Sequence, residues 1–173
     1  MFRRISLLCL ILGLLVSGCA PVISQHIRQQ VSPDLHFRDV VKDPDFYRGK
    51  MVIWSGVIVK SENLRDGTLI EVLQKPVDSV GRPLDIDKSE GRFLGMYPGY
   101  LDTAIYSKNR LITVAGRVKE KRVLPLGEIE YSYPLITVEE IYLWKPARDY
   151  RGDYPYWWYY PHWWRYPYWH PFY

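Results

Sequence analysis

Cysteine is scarce in this chain of 173 residues, where it occurs as Cys9 and Cys19 and nowhere else. Two thiols near one end cannot form a disulfide framework, and their spacing is not that of a CxxC motif. If the chain is cut before Cys19, as argued below, the mature protein keeps one cysteine. We therefore expect its stability to come from packing, with no redox centre and no cysteine-based metal site.

Catalytic motifs are also missing from the sequence. No serine or threonine lies in a GxSxG motif, and no glycine-rich phosphate loop is present. The four histidines are His26, His36, His162 and His170, and they do not have the spacing of a zinc site. Metal binding by His162 and His170 is a minor alternative. We predict that the protein is not an enzyme and needs no cofactor.

A strong excess of charge of either sign is absent. The formal net charge is +4, and Arg3 and Arg4 contribute two of those charges. If these two arginines leave with a cleaved segment, the net charge falls to +2. Nucleic-acid-binding domains usually carry a concentrated basic patch, so we predict no nucleic-acid partner.

Long hydrophobic runs are limited to one, from Ile5 to Val16. It is shorter than the roughly 20 residues that a membrane-spanning helix needs, and no second long run follows. The basic residues Arg3 and Arg4 precede it, and the small residues Ser17 and Gly18 follow it. This order is typical of a secretory signal with its cleavage site.

Cys19 follows that site directly, and the sequence Val16-Ser-Gly-Cys19 resembles the lipobox of bacterial lipoproteins. The resemblance implies that the thiol of Cys19 receives a diacylglycerol, that cleavage follows Gly18, and that the new amino group is acylated. Three acyl chains would anchor the protein stably. Ala20 implies sorting to the outer membrane. The alternative is an ordinary buried cysteine beside a signal segment.

Cleavage would leave 155 residues, enough for one domain with a hydrophobic core. We divide the chain into a signal peptide (1–18), a lipidated tether (19–31), a β-barrel domain (32–146) and a tail rich in proline, tyrosine and tryptophan (147–173). The tether is polar and mixed, without a sustained apolar period.

The residues from 32 onward predict a short helix and then mainly strands. Ser32-Pro33-Asp34 is a helix-start pattern, and Asp43-Pro44 ends the helix. Alternating and β-branched residues predict five strands, and a second short helix is expected near residues 101–106. The predicted strands cover 51–59, 68–74, 92–96, 110–118 and 135–144.

Glycines and turns predict how the strands are connected. Gly56 and Gly116 interrupt the first and fourth strands, where a strand can bend or approach another backbone closely. Asp66-Gly67 and Pro125-Leu-Gly127 are turn signals between antiparallel strands. With a helix between the third and fourth strands, we predict a mainly β, five-stranded OB-like Greek-key barrel. Periodicity leaves a five-stranded sandwich fragment open.

Several segments resemble the Slp family of outer-membrane lipoproteins, from the lipobox to Trp144. The resemblance implies a stress- or starvation-associated lipoprotein of Gram-negative bacteria without an established enzymatic activity. Trp54 stands where the family pattern favours glycine, and Lys119-Glu120 where a glycine turn is usual. The segments are Phe46–Val59, Thr68–Pro76, Ser89–Phe93, Leu111–Gly116 and Gly127–Pro134.

Two groups of carboxylates are candidates for chemistry. The cluster of Asp85, Asp87 and Glu90 has the residue types of an acid/base pair or an oxygen-ligand site, but basic residues are interleaved with it, which favours a solvated loop. The basic residues interleaved with this cluster are Arg82, Lys88 and Arg92. The second group is Glu71 and Glu128, either of which can pair with Arg92 inside the barrel wall. We favour this structural pairing over a catalytic role.

The tail is unusual in composition. Residues 150–173 hold five of the seven tryptophans and eight of the fifteen tyrosines, with prolines at 155, 161, 167 and 171. Proline interrupts helices and sheets, so we expect an extended segment. Its aromatic rings are suited to contact with a bilayer interface, or with a glycan or protein partner. Alternatively, the tail folds back on the barrel. The candidate residues for membrane or glycan contact are Trp157, Trp158, Trp163, Trp164 and Trp169.

Two functions remain after this reading. The first is a non-catalytic outer-membrane lipoprotein, anchored by Cys19 and facing the periplasm, whose barrel is an interaction module and whose tail contacts the membrane surface. The second is a periplasmic ligand-binding module in which the OB-type face and the tail hold a cell-wall glycan such as peptidoglycan, or an envelope protein.

Overall fold

The computed structural model describes residues 21–146, which contain two short helices and five strands. Neither helix is long and apolar enough to cross a bilayer. The helices are α1 (Gln25–Arg28) and α2 (Phe37–Lys42). The strands are β1 (Met51–Leu64), β2 (Gly67–Gln74), β3 (Arg92–Tyr97), β4 (Leu111–Leu126) and β5 (Ile129–Leu143).

The strands close into a barrel in the order β1-β2-β3-β5-β4, with β4 returning to β1. Neighbouring strands are antiparallel except β3 and β5, which run parallel from the pair Leu94 and Leu135 to the pair Met96 and Thr137. This crossover order is that of an OB-type Greek key. The predicted fold class is confirmed, and a closed ring excludes the sandwich fragment.

Two glycines allow the long strands to curve. A Cβ atom on Gly56 would overlap the carbonyl oxygen of Leu73, and one on Gly116 would overlap that of Thr137. The register of β4 against β5 also shifts between Ala115 and Gly116, which marks a bulge. The expected close backbone approach at these glycines is therefore confirmed.

Aromatic rings fill one end of the barrel, under α2. Trp54 lies between Phe37 and Phe93, with ring centroids 4.8 Å and 5.1 Å away in edge-to-face arrangements. Val40, one helical turn after Phe37, is fully buried beside them. The helix begins at Phe37, later than predicted, and the tryptophan at position 54 is a core residue that α2 covers.

The second predicted helix, over residues 101–106, does not form. Asp102 begins a single turn, in which its side chain accepts from the backbone N–H of Ala104 and its carbonyl accepts from those of Ile105 and Tyr106, and the turn is not continued. Asn109 then adopts a left-handed conformation with φ of 70°. The segment between β3 and β4 is therefore a loop. The end of the barrel that a helix between these strands would cover is covered by α2.

Strands β4 and β5 are longer than predicted and extend beyond the barrel as a hairpin. We call residues 119–134 the arm. Its pairing continues to Leu126 and Ile129, so the predicted turn at Pro125-Leu-Gly127 lies two residues further along, at Gly127-Glu128. Leu124 and Tyr131 of the arm contact the outer wall of the barrel.

Residues 21–31, predicted as part of a tether, lie against the outer wall of β1 and β4; we call them the N-terminal segment. Ile23 and Ile27 are buried beside Met51 and Ala115. The backbone N–H of Ser24 donates to the carboxylate of Glu140, and Val31 forms a bridge with Met51. From Pro21 onward this segment is therefore in contact with the barrel.

Candidate functional site

Some predicted site residues lie outside the described part of the chain. These are Gly18 and Cys19, and the five tryptophans Trp157, Trp158, Trp163, Trp164 and Trp169. The structure instead places the residues next to them. Pro21 follows Cys19 by two positions, and Pro146 is the last described residue before the tail.

The chain enters the described region beside a cavity of about 440 Å³. On one side it is lined by Pro21, Val22 and Ile23, and on the other by Val77 and Val80 of the loop between β2 and β3. We call residues 75–91 the β2–β3 loop. Mostly apolar walls with a few polar groups are typical of a binding cavity.

The β2–β3 loop is held on the outer wall by neutral hydrogen bonds. The hydroxyls of Ser55 and Thr113 lie 2.9 Å apart, and both are buried. Each lies 3.4 Å from the carbonyl oxygen of Gly81, so one hydroxyl donates to the other and the second donates to this carbonyl. The indole N–H of Trp144 donates to Thr113 over 2.9 Å, which links the loop to the end of β5.

The described chain ends at a second cavity on the other side of the same loop, with a volume of about 630 Å³. Its walls include Pro83 and Leu84 of the loop and Trp144 and Pro146. The guanidinium of Arg82 stacks over the Trp144 ring at 5.7 Å. The loop thus lies between the two ends of the described chain. We call this surface, made of residues 21–31, 75–91 and 144–146, the terminal face.

A different site lies between the arm and the outer wall of β2 and β3. We call this cavity of about 350 Å³ the arm cleft. Its walls are apolar at the centre and charged at the rim. The lining residues are Lys60, Glu62, Leu69, Glu71, Leu94, Leu124, Pro125 and Tyr133.

A charged network closes one side of the arm cleft. Arg92 donates to Glu71 over 2.7 Å, and the Tyr133 hydroxyl donates to the same carboxylate oxygen over 3.2 Å. The hydrogen bond to Glu71 raises the pKa of Arg92 above its usual value. Burial, reinforced by the Glu71 charge, raises the pKa of the Tyr133 phenol. Tyr131 packs on Tyr133, with ring centroids 4.6 Å apart.

The predicted pairing of Arg92 is therefore confirmed for Glu71, but its predicted place inside the barrel wall is wrong: Glu71 alternates with the core residues Ile70 and Val72 and lies on the outside. Glu128 lies exposed in the turn of the arm. In the acidic cluster, Glu90 forms an ion pair with Arg38 over 2.9 Å. Asp85 and Asp87 are exposed in the loop, as expected of a solvated segment.

The two described histidines have structural surroundings. His26 lies in α1, and its ring contacts the side chain of Gln30, two residues after that helix. His36 directly precedes α2, and its backbone N–H donates to the carboxylate of Asp39. Within residues 21–146, no three histidine, cysteine or acidic side chains are placed to hold a metal ion. His162 and His170 lie outside the described residues.

Sequence reasoning missed what the β2–β3 loop presents. Val77, Val80 and Ile86 stand among prolines and charged residues, which indicated only a loop, and their exposure on the terminal face depends on the fold. It also missed the tyrosines of the arm. Their alternation with Ser132 is a strand signal that could have placed Tyr131 and Tyr133 on one side of β5.

Known proteins with similar sequences are bacterial envelope proteins or have no assigned role. The outer membrane protein Slp of Escherichia coli K12 is 28% identical over 140 residues, 79% of this chain and 73% of that protein. The uncharacterized lipoprotein YeaY of the same organism is 26% identical over 132 residues, 76% of this chain and 68% of YeaY. An uncharacterized protein of Haemophilus influenzae is 32% identical over 107 residues, 61% of this chain and 57% of its own length.

Among solved structures, a small single-stranded DNA-binding protein from Streptomyces coelicolor aligns with a TM-score of 0.32 and 13% identity, over 55% of this chain and 94% of that one. The family comparison covers far more of the sequence. A model described as the outer membrane lipoprotein Slp family matches residues 16–170, a range that includes Cys19 and all five tail tryptophans. The chain therefore belongs to the outer membrane lipoprotein Slp family.

Proposed function

We propose that this protein is a non-catalytic, envelope- or stress-associated lipoprotein, anchored by acylated Cys19 in the outer membrane and facing the periplasm. The barrel is its interaction module. The observation that carries the proposal is the position of Pro21, which lies on the terminal face two residues after Cys19. Two residues of extended chain span at most about 7 Å, so an acylated Cys19 holds this face close to the lipid headgroups.

The anchor is tested by changing the thiol. In Cys19→Ser an alcohol replaces the sulfur and cannot form the thioether, so an alkyne fatty acid supplied to the cells should no longer label the protein. Cys9→Ser is the matched control, because Cys9 lies in the segment that is cleaved. If the Cys19→Ser protein is still labelled and still fractionates with the outer membrane, Cys19 is not the anchor.

The tail is the second membrane contact in this proposal. What supports it is that the described chain ends at Pro146 on the same terminal face as Pro21. Residues 147–173 therefore start near the surface to which Cys19 is tied. Tryptophan and tyrosine rings favour the headgroup region of a bilayer, where an apolar ring and a polar tip are both accommodated.

Stepwise replacement of Trp157, Trp158, Trp163, Trp164 and Trp169 by Ala tests this contact in an unlipidated form. Each ring buries apolar area worth about 25 cal/mol per Å², so vesicle binding should weaken with each step while the thermal transition stays unchanged. Replacement by Phe should retain most of the binding. Salt should have little effect, because Asp149 and Asp153 offset two of the three arginines of the tail, Arg148, Arg151 and Arg165. A first substitution that collapses the thermal transition would instead assign the tail to the folded domain.

The arm cleft supports the alternative function, a module that binds a cell-wall glycan. An apolar floor with charged groups at the rim is suited to a sugar, whose apolar faces cover apolar side chains and whose hydroxyls bind polar groups. Leu124→Ala, which removes an apolar side chain that lines the cleft, should then reduce cosedimentation with peptidoglycan. Ile129→Ala, which removes an exposed aliphatic side chain of the arm outside the cleft, is the matched control. If the two variants cosediment equally with peptidoglycan, the arm cleft does not bind the glycan.

A further inference from the structure

The β2–β3 loop exposes three aliphatic side chains on the terminal face. Val77 is 46% exposed, and Val80 and Ile86 are each 44% exposed. Single exposed apolar residues are common on protein surfaces and need no explanation. Val77 and Val80 line the cavity beside Pro21, where the proposed lipid-bearing chain enters, and Ile86 is exposed further along the same loop. Water solvates these aliphatic side chains poorly.

The loop is ordered, so these side chains are held in place. Val77 forms an antiparallel bridge with Pro83, which makes residues 77–83 a small hairpin with Val80 near its tip. The side chain of Asp78 accepts from the backbone N–H groups of Val80 and Arg82, each over 2.9 Å. An ordered tip loses less conformational entropy on contact with a partner than a flexible one does.

The charges of the loop do not favour a partner of either sign. Its three basic residues alternate with four acidic ones, of which Glu90 already pairs with Arg38. The basic residues are Lys75, Arg82 and Lys88, and the acidic residues are Asp78, Asp85, Asp87 and Glu90. Electrostatic attraction to anionic lipid is therefore weak here. Burial of the aliphatic side chains is the driving force that remains.

We propose that Val77, Val80 and Ile86 insert into the lipid headgroup region of the leaflet that holds Cys19, and so fix the orientation of the barrel on the membrane. This inference rests on the anchor proposed above. The anchor brings the loop to the bilayer, because Pro21, Val22 and Ile23 form the wall of the cavity opposite Val77 and Val80. The arm cleft, on β2 and β3, is left open to the periplasm.

The cysteine content makes a direct test possible. Cys19 is the one cysteine of the mature chain and is blocked by acylation, so Val80→Cys or Ile86→Cys gives a single free thiol for an environment-sensitive fluorophore. Matched controls are Val123→Cys and Ile129→Cys on the arm, whose parent side chains are 49% and 61% exposed. The labelled, lipidated full chain is placed in vesicles of phosphatidylethanolamine and phosphatidylglycerol, with and without lipids that carry a quencher at headgroup depth.

We expect a blue shift and lipid-dependent quenching for the loop positions, and neither for the arm positions. Added salt should not reverse the quenching, because the contact is apolar. If the protein floats with vesicles but loop and arm labels are quenched equally, or not at all, the loop does not insert and the anchor stands. If the protein fails to float, the anchor itself is wrong. Blue-shifted emission at Val80→Cys before lipid is added, without later quenching, would show that a protein segment covers the loop, and would overturn the inference.

Discussion

The terminal face and the arm cleft are both made by a segment folded over the outer wall of one barrel, yet different chemistry holds them. Where the β2–β3 loop meets β1 and β4, the buried contacts are neutral, with the hydroxyls of Ser55 and Thr113 bonded to each other and facing a carbonyl oxygen. Charged groups of the terminal face, such as Glu90 with Arg38, lie at its more exposed edge. In the arm cleft they are charged, with Arg92 and Tyr133 both donating to Glu71.

This difference suits two different surroundings. Neutral hydrogen bonds can be covered by lipid at little cost, whereas an ion needs water or a partner of opposite charge. In the arm cleft the side chains of Arg92 and Glu71 are 28% and 20% exposed, and Lys60 and Glu62 at the rim are more exposed, where a polar ligand can reach them. We therefore propose one side of the barrel for contact with lipid and the other for a water-borne partner.

The largest expected effect belongs to the barrel that both surfaces share. Gly116→Ala should lower the free energy of unfolding by about 3 kcal/mol, since the new methyl group overlaps the Thr137 carbonyl oxygen of the neighbouring strand. Gly127→Ala in the turn of the arm is the control. It meets no atom within 4 Å and costs only about 1 kcal/mol for its φ of 63°. Chemical denaturation of both variants should show this order, and equal losses would contradict the close approach at Gly116.

The next effect tests whether the N-terminal segment belongs to the domain. Ile23→Ala should lower the free energy of unfolding by about 2 kcal/mol, because Ile23 is buried against β1 and β4. Ile129→Ala makes the same chemical change on the exposed arm and should cost less than about 0.5 kcal/mol. If the two variants melt alike, residues 21–31 are a free tether.

The prediction from sequence succeeded where a strand has one face in the core. Alternation around Val52 and Val72, and bends at Gly56 and Gly116, indicated strands because burial of the inner face imposes a period of two. The arm escaped prediction beyond residue 118, since neither of its faces lies inside the barrel. Its strands are continued by pairing with each other, and the alternation of Tyr131 and Tyr133 with Ser132 is too short to indicate strands of this length.

The two surfaces were less predictable than the barrel. Ile23 and Ile27 are four residues apart, on one side of a helix, but a single turn among polar residues gives too short a period to recognise. The hydroxyl pair of Ser55 and Thr113 could not be predicted, because serine and threonine also occur on exposed strand faces, where they form no such pair. The pairing of Arg92 could be foreseen from charge alone, whereas its place on the outer wall required the register of β2 and β3.

A smaller effect compares two ion pairs. Arg92→Met removes a part-buried hydrogen bond to a charged partner and should cost about 1.5 kcal/mol. Glu139→Gln, near the terminal face, neutralises a more exposed pair with Arg117, whose hydrogen bonds to Gln30 and Gly49 are kept, and should cost less than about 1 kcal/mol. High salt should narrow the loss at Glu139 more than that at Arg92. A larger loss at Glu139 would reverse the contrast drawn between the two surfaces.

The smallest effect is a dependence on pH that the arm cleft should show. The pKa of Tyr133 is raised in the folded protein, so above pH about 10 the unfolded chain loses this phenolic proton first, and stability falls as pH rises towards the folded pKa. Tyr133→Phe lacks the proton and should cost about 1 kcal/mol at neutral pH, for the lost bond to Glu71. The gap between the two proteins should then shrink above pH about 10, because only the wild type pays for keeping the phenol neutral. Denaturation curves at neutral and alkaline pH measure the gap, and a gap that stays constant or widens would mean that the cleft does not hold Tyr133 in its neutral form.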